Sequence, residues 1–225
     1  YTIGSFTGNI LTTHIQKGHV PFDRSTFEPL GIFLGYPLII VTRADEPYSN
    51  MAELAEYAKT NPVKFAHYGF DGPPAVQMEQ AAMTLGFTYS GSAAFDETNC
   101  TLLTNGDADI MVTNVKQVHA CMSSGDAKAI TTLTMARIAV MPEVPTLEEQ
   151  VPGVAVPAWN GLFVRSGTPD DVRAKIVASA MKVLASEKVD ELAKSTGAVM
   201  EWNDASWSET FIEQQYIRLE ELSGN

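Results

Sequence analysis

Six consecutive residues, Pro37-Leu38-Ile39-Ile40-Val41-Thr42, constrain this chain more than any other segment. A β-branched run without polar alternation reads as a strand covered on both faces, since alternation arises where one face meets water. The rest of the chain supplies covering layers, because short apolar runs alternate with amphipathic stretches in the pattern of an α/β fold. Residues 1–6, 64–68, 108–112, 129–133 and 159–165 read as further strands. Ser49 and Asn50 open a helix that puts Met51, Leu54, Ala55 and Ala58 on one face, and Asn61-Pro62 ends it. A second helix starts at Pro73 and reaches about Leu85. Residues 141–156 are proline-rich and read as an extended crossing segment with one helical turn at 146–149.

Thr168-Pro169-Asp170-Asp171 combines an N-cap, a proline at the first helical position and acids in the first turn. The helix it starts should turn Val172, Ile176, Ala180, Val183 and Leu184 inward. Ser206 with Glu209 forms a capping-box pattern for a final helix along Ile212, Tyr216 and Leu219. With 225 residues, a 45% apolar share and 19% charged residues, two modest lobes with real cores are expected. A chain of this length buries roughly 70% of its unfolded surface.

Fifteen basic residues against 27 acidic ones give a net charge of −12. That balance excludes a broad basic face for nucleic acid or anionic membrane, while leaving room for a small anion held by a few aimed donors. The longest apolar stretch, residues 35–41, is far short of the ~20 residues a spanning helix needs. The chain opens on Tyr1 without a leader pattern, which reads as a processed form or a fragment. Cys100 and Cys121 either form one disulfide in an oxidising compartment or stay two small core residues, and the burial preference of cysteine favours the second reading.

Catalytic and cofactor motifs are missing: there is no GxSxG, GxxxxGK[ST], HExxH or GxGxxG, so no cofactor and no metal are expected. His14 and His19 are spaced for neither a helix face nor a strand face, and His67 and His119 read as ordinary structural residues. Asp107 and Asp109 are explained by a strand-entry turn, and Asn99-Cys100-Thr101 matches only the short glycosylation pattern. The most informative segment is Tyr68-Gly69-Phe70-Asp71-Gly72-Pro73-Pro74, a glycine-bearing turn running into a helix. Unpaired amides and the dipole at such a junction can hold a carboxylate without any basic side chain. Gly4-Ser5-Phe6-Thr7-Gly8-Asn9 offers hydroxyls and glycines directly after a strand, and Trp159-Asn160-Gly161 could present an indole to a cleft or bury it in a core.

Taken in order, these pieces resemble the substrate-binding proteins of tripartite tricarboxylate transporters, the TctC or Bug family. The resemblance rests on Met141-Pro142-Glu143-Val144-Pro145-Thr146 with Pro152-Gly153 behind it, and on residues 158–169, AWNGLFVRSGTP. Tyr36-Pro37-Leu38, the 65–72 turn before a proline-led helix, the 106–111 strand and the opening Tyr1-Thr2-Ile3 are also similar. It implies an α/β fold, a two-lobed clamshell of the periplasmic-binding-protein type (type II-like), with the first lobe incomplete at its N-terminus. It divides the chain into 1–42 (first lobe), 43–158 (second lobe) and 159–225 (crossing strand and helices returning to the first lobe).

By the same resemblance the protein is periplasmic and not an enzyme. It captures a small organic acid in an interlobe cleft and delivers it to the membrane permease subunits of a transporter; the alternative uses of such a cleft are a ligand-sensing module for a regulatory partner or an enzyme on the same scaffold. Ser5, Thr7 and Gly8 fall on a cleft loop of the first lobe. Tyr68, Gly69, Phe70, Asp71 and Gly72 fall at the second lobe's helix N-terminus, Thr113 and Asn114 on the facing loop, and Trp159 and Asn160 near the hinge. Relatives carry a strand, a glycine-rich ligand loop, a helix and another strand before the equivalent of Tyr1, so half of the carboxylate clamp is expected outside this chain. Without those strands the 1–6 strand is an exposed edge, and an edge-strand dimer is the oligomer such an edge would give. Thr113-Asn114 stands where an Asp-Thr pair is common, and Asp71 where small neutral residues are usual. Either Asp71 caps its helix and points away, or the ligand carries a donor or positive group there.

Overall fold

The computed structural model describes residues 1–69 and 72–223, so Phe70 and Asp71, both expected at the ligand turn, lie outside the described residues. In chain order the elements are β1 (Ile3–Thr7), a single wide helical turn at Ile10–His14, a short turn at Arg24–Thr26, β2 (Phe27–Gly35), β3 (Leu38–Arg43), α1 (Met51–Ala58), β4 (Lys64–His67), α2 (Pro73–Leu85), β5 (Gly91–Ala94), α3 (Cys100–Thr104) and β6 (Ile110–Asn114). There follow α4 (Val115–Ser124), β7 (Ala127–Thr132), α5 (Leu147–Gln150), β8 (Trp159–Arg165), α6 (Asp170–Leu184), α7 (Glu187–Thr196), β9 (Asn203–Asp204) and α8 (Ala205–Ser223). These form two compact units, Tyr1–Tyr36 with Ala158–Asn225 and Pro37–Pro157. The chain therefore leaves the first unit after Tyr36, six residues before the expected 42/43 boundary. The reason is β3, which pairs with β6 and β7 and so carries residues 38–43 into the second unit.

The second unit has a five-stranded sheet in the order β5-β4-β6-β3-β7. β4 runs parallel to β5 and β6, while β3 is antiparallel to β6 and β7. Both faces are covered, as the uninterrupted apolar run of β3 requires. Ile40 joins the core formed with Met51, Leu54, Phe65, Met78 and Leu147, whereas Ile39 and Val41 point into a second core with Leu103, Val118 and Cys121. α1 is capped by Asn50, whose Oδ1 accepts the Glu53 N–H at 2.9 Å, while the Glu53 carboxylate accepts the Ser49 N–H at 2.7 Å. In the crossing segment Thr146 and Glu149 make a reciprocal capping box at the head of α5, and Arg137 holds Glu149 at 2.9 Å.

The first unit has an antiparallel sheet in the order β1-β8-β2-β9, with α8 packed on it. Phe6, Phe22, Phe27 and Phe163 meet ring against ring in its core. β1 pairs with β8 on one side only and is an edge of this sheet, as expected for the opening strand.

Two helix starts differ from their sequence reading. α6 begins at Asp170 with Pro169, not Thr168, at the cap position, because the Thr168 hydroxyl turns back to donate to the Arg165 carbonyl at 2.7 Å. At the head of α8 the Asp204 carboxylate, two residues before Ser206, accepts the Trp207 N–H at 2.9 Å. α6 contains no fully buried residue, and Val183, expected to face inward, is 61% exposed in the last turn.

Candidate functional site

In the first unit the β1/β8 register opposes Ser5 to Leu162 and Thr7 to Asn160. Opposed residues of an antiparallel pair share a face and alternate residues repeat it, so Ser5, Thr7 and Asn160 stand together on one side of the sheet. Ser5 Oγ donates to Asn160 Oδ1 at 2.8 Å, and Asn160 Nδ2 donates to the Tyr36 hydroxyl at 3.3 Å. Thr7 Oγ1 donates to Asn9 Oδ1 at 2.6 Å. The result is a patch of neutral hydroxyl and amide groups in which Tyr36 joins the residues expected from the sequence.

Trp159 alternates to the opposite face and is 2% exposed in the core, where its indole N–H donates to Gln215 Oε1 at 3.0 Å. Of the two roles the sequence left open, presentation to a cleft or burial, the structure adopts burial, since the ring packs among Phe163 and Phe211. Gly8 lies directly against it. A Cβ at Gly8 would come within 2.7 Å of the indole, so only glycine lets the loop after β1 approach this closely.

In the second unit the turn after β4 is tied down from within. His67 is fully buried; its Nδ1 accepts the Gly69 N–H at 3.1 Å and its Nε2 meets Ser92 Oγ at 3.0 Å. An Nδ1 that accepts an amide carries no proton, so the ring is the neutral Nε2–H tautomer, donating to Ser92. Burial lowers its pKa from the ordinary histidine value, which favours that same neutral form. The Gly72 N–H bonds the Gly69 carbonyl at 3.3 Å, and the Ala75 and Val76 amides both reach the Gly72 carbonyl. Pro73 and Pro74 have no N–H. The expected row of unpaired amides is therefore absent from the described part of this helix start.

Donors in this region come instead from side chains that converge on Gln117. Tyr68 Oη donates to Gln117 Oε1 at 2.5 Å, and Asn114 Nδ2 donates to the same oxygen at 2.7 Å. Asn114 Oδ1 in turn caps α4 by accepting the Gln117 N–H at 3.1 Å. Thr113 is fully buried and donates its hydroxyl proton to the Thr98 carbonyl at 2.6 Å. Sequence reasoning brought Tyr68, Thr113 and Asn114 to this place but missed Gln117. The available signal was a capping-box pattern, Asn114 followed three residues later by a glutamine.

Cys100 and Cys121 are joined in a disulfide that ties the first residue of α3 to α4, so the favoured reading of two unbonded core residues is corrected. Leu102 and Leu103 pull α3 against the core that already holds Cys121, which brings the two Cα atoms to 6.0 Å, within the span a disulfide bridges. Asn99 uses its side chain to cap α3, accepting the Thr101 N–H at 3.0 Å.

The first unit also holds an open cavity of about 610 Å³ floored by Leu11, Phe27, Phe163 and Ile212 and rimmed by the Arg24–Glu213 ion pair. It lies on the Phe163 face, opposite the one that carries Ser5 and Asn160. No group of three metal-ligating side chains occurs among the described residues. Neither nitrogen of His67 is placed to act as a general base, and the Ser5 and Thr7 hydroxyls bond to amide oxygens rather than to a base.

The profile of the TctC family, the tripartite tricarboxylate transporter family receptors, matches residues 1–222. A UPF0065 protein of Bordetella pertussis is 28% identical over 229 residues, covering 97% of this chain and 69% of its own length. A UPF0065 protein of Bordetella bronchiseptica is 25% identical, and the match spans 74% of this chain and 51% of that relative. Among solved structures, a TctC solute-binding protein from Polaromonas superposes with a TM-score of 0.84 at 19% identity, over 100% of this chain and 78% of its own. The periplasmic binding protein BugD gives a TM-score of 0.77 at 26% identity, over 99% and 77% of the two chains. MatC from Rhodopseudomonas palustris, solved with bound malate, gives a TM-score of 0.77 at 22% identity, over 98% and 78%.

Proposed function

The chain belongs to the TctC family of tripartite tricarboxylate transporter receptors, and from that premise we propose that it is an extracytoplasmic solute-binding protein for a small organic acid. The observation that carries this reading is the family match over residues 1–222 together with neutral donor clusters on both units. A carboxylate is held well by several aimed hydroxyl and amide donors, so a protein of net charge −12 needs no cationic patch to bind one. Ser5, Thr7 and Asn160, with Tyr36 beside them, are the proposed donor set of the first unit. In the second unit Tyr68 and Asn114, with Gly69 and Gly72 of the neighbouring turn, shape the proposed site, their hydroxyl, amide and backbone donors being bonded within the unit. Gly8, Thr113 and Trp159 support these groups from below, through close packing and buried hydrogen bonds.

Binding without covalent chemistry is the proposed activity, since the polar side chains of these clusters are committed to one another rather than to a nucleophile–base pair. The Cys100–Cys121 disulfide favours an oxidising compartment such as the periplasm. No helix among the described residues is long and apolar enough to cross a membrane. Delivery to the permease subunits of a transporter is part of the same proposal, as is self-association through the free edge of β1.

The test is a thermal-shift screen against mono-, di- and tricarboxylates, including malate. A ligand at 100 times its Kd stabilises the native state by about 2.7 kcal/mol, a readily measured shift. A response confined to one class of acid supports the proposal. A cooperative melt that no acid moves would overturn it for this chain.

A further inference from the structure

The amide of Gln117 has an orientation that its neighbours fix, and this has a consequence for recognition. Asn114 Oδ1 accepts the Gln117 backbone N–H, so the other end of the Asn114 amide, Nδ2, must be the donor toward Gln117. That assigns the facing atom of Gln117 as the oxygen rather than the nitrogen. Tyr68 Oη donates to the same oxygen at 2.5 Å, so both of its lone-pair directions are filled. Thr113 Oγ1 stands 3.4 Å away but gives its proton to the Thr98 carbonyl at 2.6 Å. The Nε2 group of Gln117 is therefore turned away from this cluster with two N–H donors that meet no acceptor among the described residues, on a side chain that is only half-buried.

The other candidates around it are committed. The Gly69 and Gly72 amides are bonded within the turn, Pro73 and Pro74 have none, and the Thr113 hydroxyl is buried and bonded. We propose that Gln117, locked through its oxygen by Tyr68 and Asn114, presents Nε2 as the carboxylate-recognising donor of the second unit and sets the preference for an anionic ligand group. This rests on the organic-acid reading and deepens it, because it names the atom that contacts the acid. Tyr68 and Asn114 then act as positioning residues, holding the glutamine amide so that less rotamer freedom is lost on binding. A neutral primary amide matches a carboxylate oxygen through N–H···O⁻ bonds, and it leaves a second carboxyl, hydroxyl or chain end of the acid to be read elsewhere.

The informative variant is Gln117→Glu. It keeps an oxygen for Tyr68 and Asn114 but puts a carboxylate oxygen where Nε2 stands, replacing attraction by repulsion. Calorimetric titrations at pH 7.5 with succinate, L-malate, adipate and citrate first establish which acid the unmodified protein binds. For that acid, Gln117→Glu is expected to lose at least about thirtyfold in affinity, with a melting temperature and circular dichroism like those of the parent. Equal affinity within about threefold would overturn the assignment of Gln117 while leaving the organic-acid reading intact. If the parent binds none of these four and no member of the mono-, di- and tricarboxylate panel, the organic-acid reading itself fails, and this inference falls with it. Should Gln117→Glu not fold, the side-chain ¹H–¹⁵N signals of Gln117 in the parent protein decide the matter. A large shift on adding the bound acid supports the proposal, and unmoved signals overturn it.

Discussion

Removal of the Cys100–Cys121 disulfide gives the most quantitative test of how the second unit is held together. The cross-link closes a loop with a sequence separation of 21. Constraint of an unfolded loop of this size corresponds to about 3 kcal/mol in the chain-entropy account. For a unit of roughly 120 residues, each kcal/mol moves Tm by several degrees, so reduction should lower the transition of this unit by about 10 °C. The effect should also be local. α3 is only five residues long and cannot persist as an isolated helix, so its attachment depends on Leu103 in the core and on the link to α4.

Differential scanning calorimetry of the oxidised protein, the reduced protein and Cys100→Ala/Cys121→Ala would separate the contributions. The reduced protein isolates the cross-link, because its side chains are otherwise unchanged. Alanine at Cys121, which is buried, adds a small packing loss without burying an unpaired hydroxyl. Hydrogen exchange should rise first in α3. A reduced protein that melts within about 2 °C of the oxidised one would refute the reasoning, because a loop of this length cannot then have been free in the unfolded state.

Other perturbations follow from the same contacts. Gly72 has φ −77°, and a Cβ there approaches nothing closer than the Gly69 carbonyl at 3.5 Å; Gly72→Val should therefore melt within about 2 °C of the parent while losing about tenfold or more in affinity for the acid found by thermal shift. Unchanged affinity in a folded Gly72→Val would remove this turn from the site. His67 has its pKa lowered in the fold, so the unfolded chain takes up a proton near pH 6.5 while the native state stays neutral. Stability is then full above that pH and declines as pH falls below it, and urea midpoints between pH 5 and 7.5 should flatten in His67→Gln; identical slopes in parent and variant would contradict this. β1 leaves one edge unpaired, with Ile3 half-exposed beside it, so light scattering should find a dimer that Ile3→Lys converts to monomer. A monomeric parent protein would exclude edge pairing.

Much of the architecture is legible without coordinates, for reasons that belong to individual segments. Trp159–Arg165 and Pro73–Leu85 have the boundaries read from sequence, because an apolar run flanked by turn residues and a proline-led amphipathic stretch each carry their own stop signals. Asn50 and Thr146 cap helices as their spacing to Glu53 and Glu149 suggests. Thr168 and Ser206 have equally good spacing yet do not cap: the Thr168 hydroxyl is turned back onto the Arg165 carbonyl, and at α8 the Asp204 carboxylate accepts the first-turn N–H of Trp207 while Ser206 already lies inside the helix.

The candidate site divides along the same line. Local sequence determined that a strand opens the chain and that a proline-led helix begins at Pro73, because each depends only on strand or helix patterning, whereas the structure extends the first strand to Thr7 and so places Ser5 and Thr7 on one strand face rather than on a loop. Tertiary structure alone decided which of these groups keep a free donor. The Gly69 amide is taken by His67, the Thr113 hydroxyl by Thr98 and the Trp159 indole by Gln215, while Tyr68 and Asn114 converge on Gln117 across 49 and 3 residues of sequence. The two cysteines met for the same reason, brought together by the core beneath α3 and α4. A hydrogen bond or a disulfide is a pairwise commitment between atoms, and a linear pattern records the residues that could enter it but not the partner that packing brings within reach.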